Sequence, residues 1–272
     1  MLKTRVITAL ILLAVLLSVL YSKSFLLFVL TAAAFFTAAA WESFRLFRIQ
    51  RPVFGAAIWT AAFLFVVLQG DAAGATLLFG LCAAIWAIRL APSLAMGLPP
   101  LDGLGNRLLN GIYGIGILGC FVAIIALLQQ SALYLVSVLA IVWVADIGAY
   151  FAGKAFGKHK LAPSISPGKS WEGAIGGWLA VLLVAGASTT LPSLSETFAP
   201  RVLANWSWLG LFLALTLLVA ASIVGDLFES QLKRRAGMKD SSNLLPGHGG
   251  VLDRIDALIP TLPLAVLIGS RL

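Results

Sequence analysis

The chain has 272 residues, 60% of them hydrophobic and 11% charged, with a mean hydropathy of +1.00 and a formal net charge of +8. Soluble domains run at roughly half apolar and a quarter charged, so this is a membrane composition, and the basic excess reads as topology and attraction to lipid headgroups or phosphates rather than nucleic acid. Cys82 and Cys120 lie inside apolar segments and the only histidines are His159 and His248, which excludes a disulfide framework and a Cys/His zinc cluster.

The first residues, MLKTRVITALILLAVLLSVLYS, have the basic start and apolar core of a secretory signal, but no A-x-A-like site follows, and the segment is read as an uncleaved first span. A bilayer core takes roughly 17–25 apolar residues per helix. About nine runs fit, near 6–21, 24–40, 53–69, 72–91, 110–128, 131–151, 173–191, 207–227 and 251–268, the first two being short. With brief loops and no linker or repeat, the expected fold is all-α: one polytopic membrane domain over 1–272, with most of its long polar stretches in the half at about 131–272.

Alternate loops segregate the basic residues. One side collects Lys3, Arg5, Arg45, Arg48, Arg51, Arg89, Arg107, Lys154, Lys158, Lys160, Lys169, Lys233, Arg234, Arg235, Lys239 and Arg254; the other holds Lys23, Arg201 and Arg271. Cytoplasmic loops are enriched in Lys and Arg, which predicts a cytoplasmic N-terminus.

Two polar stretches fall on that same side, residues 146–173 and 225–256. Asp146 and Asp226 stand within or at the end of apolar helices, where a carboxylate is costly and faces a polar cavity or a partner. Asp253 and Asp256, spaced i, i+3, share a helical face and offer neighbouring oxygens to a hard cation such as Mg²⁺, with Asp226 as a third ligand. The Gly-rich bend Pro246–Gly250 precedes them, so the ion would lie at a helix N-terminus, where free N–H groups favour phosphate oxygens. Ser230, Lys233, Arg234, Arg235 and Lys239 follow Asp226; acid, base and hydroxyl together suit phosphate chemistry. Lys154, Lys158, Lys160 and Lys169 are available to a second phosphate-bearing substrate.

Blander readings stand beside these. A basic run next to a span serves topology or a lipid-surface patch, and Arg45, Arg48 and Arg51 are given no site role. Asp253 and Asp256 could cap the helix or pair with Arg254, His248 could serve a turn, and Asp146 could be a satisfied structural carboxylate. Gly168-Lys169-Ser170 looks like the end of a P-loop, but Pro163 stands where glycine is wanted and no strand is expected before it. The CDP-alcohol phosphotransferase pattern also fails: Asp102-Gly103 leads to Asn106-Arg107, and Cys120 occupies the place of an aspartate.

The run S-Q-L-K-R-R-A-G-M-K-D-S-S-N-L-L-P-G-H-G-G-V-L-D-R-I-D, Ser230 to Asp256, resembles the signature of the phosphatidate cytidylyltransferase family, and residues 146–173 are similar to a second region of that family. The resemblance implies a membrane enzyme that converts CTP and phosphatidate to CDP-diacylglycerol and diphosphate in phospholipid biosynthesis, with Mg²⁺ as cofactor. It implies catalytic roles for Asp226, Ser230, Lys233, Arg234, Asp253 and Asp256, with the metal on Asp226, Asp253 and Asp256. Lys160, Lys169, Lys239, His248 and Arg254 become substrate-binding residues and Asp146 a further candidate. The implied setting is a bacterial inner membrane with the site facing the cytoplasm, a lipid partner, no nucleic acid, and room for a homodimer. A CTP-dependent lipid kinase of the dolichol-kinase type and a secondary transporter are the competing readings. The Ser230–Asp256 signature argues against the first, and the gathering of ionisable residues on one face argues against the second.

Overall fold

A computed structural model describes residues 2–270; the side chains of Lys3 and Arg5, and all of Arg271, which entered the loop comparison, lie outside that description. The helices are α1 (Leu2–Ser22), α2 (Phe25–Leu46), α3 (Pro52–Gln69), α4 (Ala72–Ile85), α5 (Ala91–Met96), α6 (Leu104–Gln130), α7 (Ala132–Phe156), α8 (Trp171–Ser188), α9 (Phe198–Ala236), α10 (Leu252–Ile255) and α11 (Leu258–Gly269). Lipid offers no hydrogen bonds to the backbone, so apolar segments of this length close their own as helices. Side chains set where they begin. Ser24, Asp71, Ser131 and Ser170 each accept a hydrogen bond from an N–H in the first turn of α2, α4, α7 and α8, and Pro52 opens α3.

Among the described residues, seven helical segments are long and apolar enough to cross a membrane: α2, α3, the continuous Ala72–Met96, α6, α7, α8 and α9. This is an integral membrane protein. The runs expected near 6–21 and 251–268 are helical but shorter, with 17 residues in the apolar segment Val6–Ser22 and 12 in α11. Ala72–Met96 is two helices joined by one wide turn at Trp86–Leu90, where Ala91 N–H reaches back to the Trp86 carbonyl just before Pro92. Helix α9 begins earlier than the apolar run 207–227 suggested and breaks direction at Ser207, whose φ is 68°.

The all-α expectation misses one feature. Residues 160–170 form an antiparallel hairpin, β1 (Lys160–Ala162) with β2 (Ser166–Ser170), in the polar stretch between α7 and α8. Pro163 and Pro167 forbid a helix there, and pairing satisfies the backbone instead. Glu172, in the first turn of α8, accepts from the backbone N–H groups of Lys158 and His159 and contacts His159 Nδ1 at 2.6 Å, which ties the approach to the hairpin onto α8.

The core lies among α2, α3, α4, α6, α9 and α11. Phe36 stacks on Phe63 at 5.0 Å and meets Phe121 edge-on at 5.4 Å, while Phe228 of α9 packs on Tyr113 at 5.2 Å and Trp86 at 5.5 Å. Helices α7 and α8 meet through small residues, Ala145, Ala149 and Gly153 against Gly173 and Gly177, so that their backbones touch. This close pair and α9 enclose the cavity described next.

Candidate active site

The cavity between α7, α8, α9 and the hairpin measures about 420 Å³, and its polar lining includes Asp146, Lys154, Lys169 and Asp226. Each wall has a local cause. Asp146 and Lys154 project from the last turns of α7, Lys169 from β2, and Asp226 from the middle of α9. Lys169 Nζ lies 2.5 Å from Asp226 Oδ2, and Ser230 Oγ, one turn further on, donates to Asp226 Oδ1 at 3.4 Å.

The backbone of Asp256 lies against the residue that precedes this aspartate. Pro260 has no N–H to give the Asp256 carbonyl four residues before it, so the last helix is interrupted after α10 and that carbonyl is left turned outward. Gly225 of α9 packs against it. A Cβ at Gly225 would collide with the Asp256 carbonyl oxygen and come within 2.8 Å of the Pro260 ring. The Asp256 backbone is thereby held against the residue preceding Asp226, while Asp146, Lys169 and Asp226 line one cavity. Gly225→Val is expected to wedge α11 from α9, lowering stability by about 1–3 kcal/mol and turnover with it; thermal unfolding in detergent measures the first.

Beside this group lies a second one. Lys233 forms ion pairs with Glu229, one turn earlier on α9, and with Asp253 Oδ1 at 2.6 Å; Glu229 is 0% exposed. Asp253 Oδ2 accepts from Ser241 N–H and Oγ–H, both at 2.8 Å, and from Gly250 N–H at 2.7 Å. Both Asp253 oxygens are thus occupied by protein donors. Among the described residues no three acidic, histidine or cysteine side chains converge as one metal-holding group. The three aspartates expected to share an ion do not converge: Asp226 is paired with Lys169, Asp253 is turned toward Lys233 and the glycine loop, and Asp256 accepts from Ala257 N–H. α10 is a single turn, Leu252–Ile255, with Asp253 in it and Asp256 as its C-cap.

The remaining expected residues are distributed around this centre. Arg234 is exposed and donates from Nε to the Ile165 carbonyl at 3.3 Å, which fastens the hairpin turn to α9. Arg254 donates from Nε and Nη2 to the His248 carbonyl at 3.1 and 2.7 Å. His248 N–H bonds the Leu245 carbonyl at 2.8 Å within the bend, while Lys160 and Lys239 are exposed outside the ion-pair groups.

Sequence reasoning did not single out Glu42, Glu229, Ser241 or Ser242. Glu42 of α2 is 0% exposed, and its carboxyl group accepts from Ser241, Ser242, Val251 and Leu252. For both glutamates the available signal was an acid inside or at the end of an apolar helix, the criterion that drew attention to Asp146 and Asp226.

The arrangement can bind phosphates through Lys154, Lys169 and Lys233 and can hold a divalent cation on Asp226 and Asp256. Two carboxylates are a sufficient protein donor set for Mg²⁺, which usually completes its shell with water and substrate phosphates.

Comparison with known proteins gives the same direction. Residues 3–271 match the model of the cytidylyltransferase family. A phosphatidate cytidylyltransferase of Pseudomonas aeruginosa is 44% identical, the alignment covering 97% of this chain and 95% of the relative. One from Haemophilus influenzae is 35% identical over 97% and 96% of the two chains, and one from Brucella suis is 47% identical over 50% and 46%.

Proposed function

This chain belongs to the cytidylyltransferase family, and we propose from that premise that its α7–α8–α9 cavity is where the cytidylyl group of CTP passes to phosphatidate. The protein is a membrane nucleotidyltransferase of phospholipid biosynthesis, forming CDP-diacylglycerol and diphosphate. The observation that carries the siting is the pairing of Lys169 with Asp226, which joins the two polar stretches of the sequence in one cavity.

In this reading a phosphate oxygen of phosphatidate attacks the α-phosphorus of CTP, the bond to the β-phosphate oxygen breaks, and diphosphate leaves. The nucleophile is already an oxyanion, so the protein contributes position and charge neutralisation. Mg²⁺ on Asp226 and Asp256 would neutralise and align the reacting phosphates. Lys169 and Lys154 face the cavity to meet phosphate oxygens. An ammonium has three N–H groups, and Lys233 spends two on Glu229 and Asp253, which leaves one for the departing diphosphate. Asp253 acts by orienting Lys233, and Arg234 by holding the hairpin.

A second cavity of about 230 Å³, lined by apolar residues such as Val136, Ala140, Val144 and Val184, follows the same α7–α8 seam and has room for part of one acyl chain of the lipid. Counting α1 and the α10–α11 pair as spans gives nine, with the N-terminus and the site on the cytoplasmic side, where CTP is available. The bacterial relatives support an inner-membrane location.

The test is formation of labelled CDP-diacylglycerol by purified protein in detergent, with and without Mg²⁺. Metal-dependent product is expected. No product from CTP or dCTP with folded protein would overturn the reading.

A further inference from the structure

The N-terminal half of the chain carries none of the signature, yet one of its side chains lies under the site. Glu42, near the end of α2, is 0% exposed and has two donors within hydrogen-bond reach of each carboxyl oxygen, one of them the single Ser241 O–H that it shares with Asp253. Oε1 accepts from Ser242 Oγ at 2.5 Å and Val251 N at 3.0 Å; Oε2 accepts from Ser241 Oγ at 3.0 Å and Leu252 N at 2.6 Å. These donors come from both ends of the loop 241–252, so a single carboxyl group staples the loop closed. The fit leaves no slack, since a Cβ at Gly250 would collide with Ser241 Oγ and the Glu42 carboxyl.

The staple connects to the chemistry through Ser241. Its hydroxyl lies within reach of both Glu42 Oε2 and Asp253 Oδ2, the latter at 2.8 Å, and Asp253 in turn holds Lys233 at 2.6 Å. We propose that Glu42 is a positioning residue for cytidylyl transfer: it fixes the loop 241–252 from α2, so that Asp253 holds Lys233 where the phosphates react. Glu42 touches no substrate in this scheme. It acts only through Ser241, Ser242 and the two backbone N–H groups. An acceptor-only carboxylate suits these converging donors; a carboxamide of the same shape would turn an NH₂ group against a backbone N–H, that of Val251 or Leu252, which cannot turn to accept.

The inference deepens the assignment of function, so its test needs a readout independent of activity. Glu42→Gln, Ser242→Ala and wild type are compared by amide hydrogen exchange, thermal unfolding, and product formation against CTP concentration. For Glu42→Gln the expected result is faster exchange confined to 241–252 and a fall in kcat of about 10- to 100-fold, as for partners that orient a reacting group, with KM for CTP within about twofold. Ser242→Ala should show the same pattern more weakly. The double variant should be no worse than Glu42→Gln, because the two changes act in one chain of contacts. Unchanged exchange with unchanged kcat would overturn the proposal; so would a lowered unfolding temperature with normal kcat per folded molecule, which is a structural role only. If Glu42→Gln does not fold, Ser242→Ala decides by the same two readouts. Absence of transfer in wild type would sink the functional assignment while the exchange data still judged Glu42.

Discussion

Lys233→Met is expected to lower kcat by about 10²–10³-fold, the usual cost of removing one charged donor aimed at a developing negative charge. It should also destabilise the protein, because it strips the cation from Glu229, which is 0% exposed, and from Asp253; breaking one buried pair costs about 3–5 kcal/mol. The two effects separate in the double variant Lys233→Met/Glu229→Gln. Removing the stranded charge on Glu229 should recover much of the thermal stability, as read by unfolding in detergent, but none of the turnover. Recovery of both would mean that Lys233 serves only to neutralise Glu229 and that the proposed contact with diphosphate is wrong.

That Lys233 was a candidate could be seen in the sequence, since it stands in a run of polar residues with fixed spacing immediately after an apolar helix. Which carboxylates it meets could not. Glu229, its partner one turn away, lies inside the apolar pattern and drew no notice, although a lysine four residues after an acid is a local pairing signal. Most of the spans were legible because hydropathy dictates them: among the described residues seven of the nine expected runs fall on segments long and apolar enough to cross a membrane, and those near 6–21 and 251–268 fall on shorter helices. The hairpin was not, because its strands are three and five residues long and depend on prolines and on Glu172 rather than on any alternating pattern. Glu42 was further from reach. The bonded residues lie 199 to 210 positions away, and nothing in α2 announces that the loop before α10 will settle on it.

The aspartates make the sharpest division between what spacing suggests and what packing does. Asp226→Asn and Asp256→Asn are each expected to cut turnover by more than about 100-fold and to raise the Mg²⁺ concentration for half-maximal activity at least about tenfold, because each removes a carboxylate from the pair assigned to the cation. Asp253→Asn should behave differently. Its oxygens are already engaged by Lys233, Ser241 and Gly250, so the variant should lose turnover by misplacing Lys233 while the Mg²⁺ dependence stays within about twofold. Product formation measured against Mg²⁺ concentration for the three variants distinguishes the cases. A shift in Asp253→Asn as large as in the other two would return Asp253 to the metal and show that Lys233 must release it when the ion binds. A shift in none of them would remove the cation from Asp226 and Asp256 altogether, leaving the neutralisation of the phosphates to Lys154, Lys169 and Lys233.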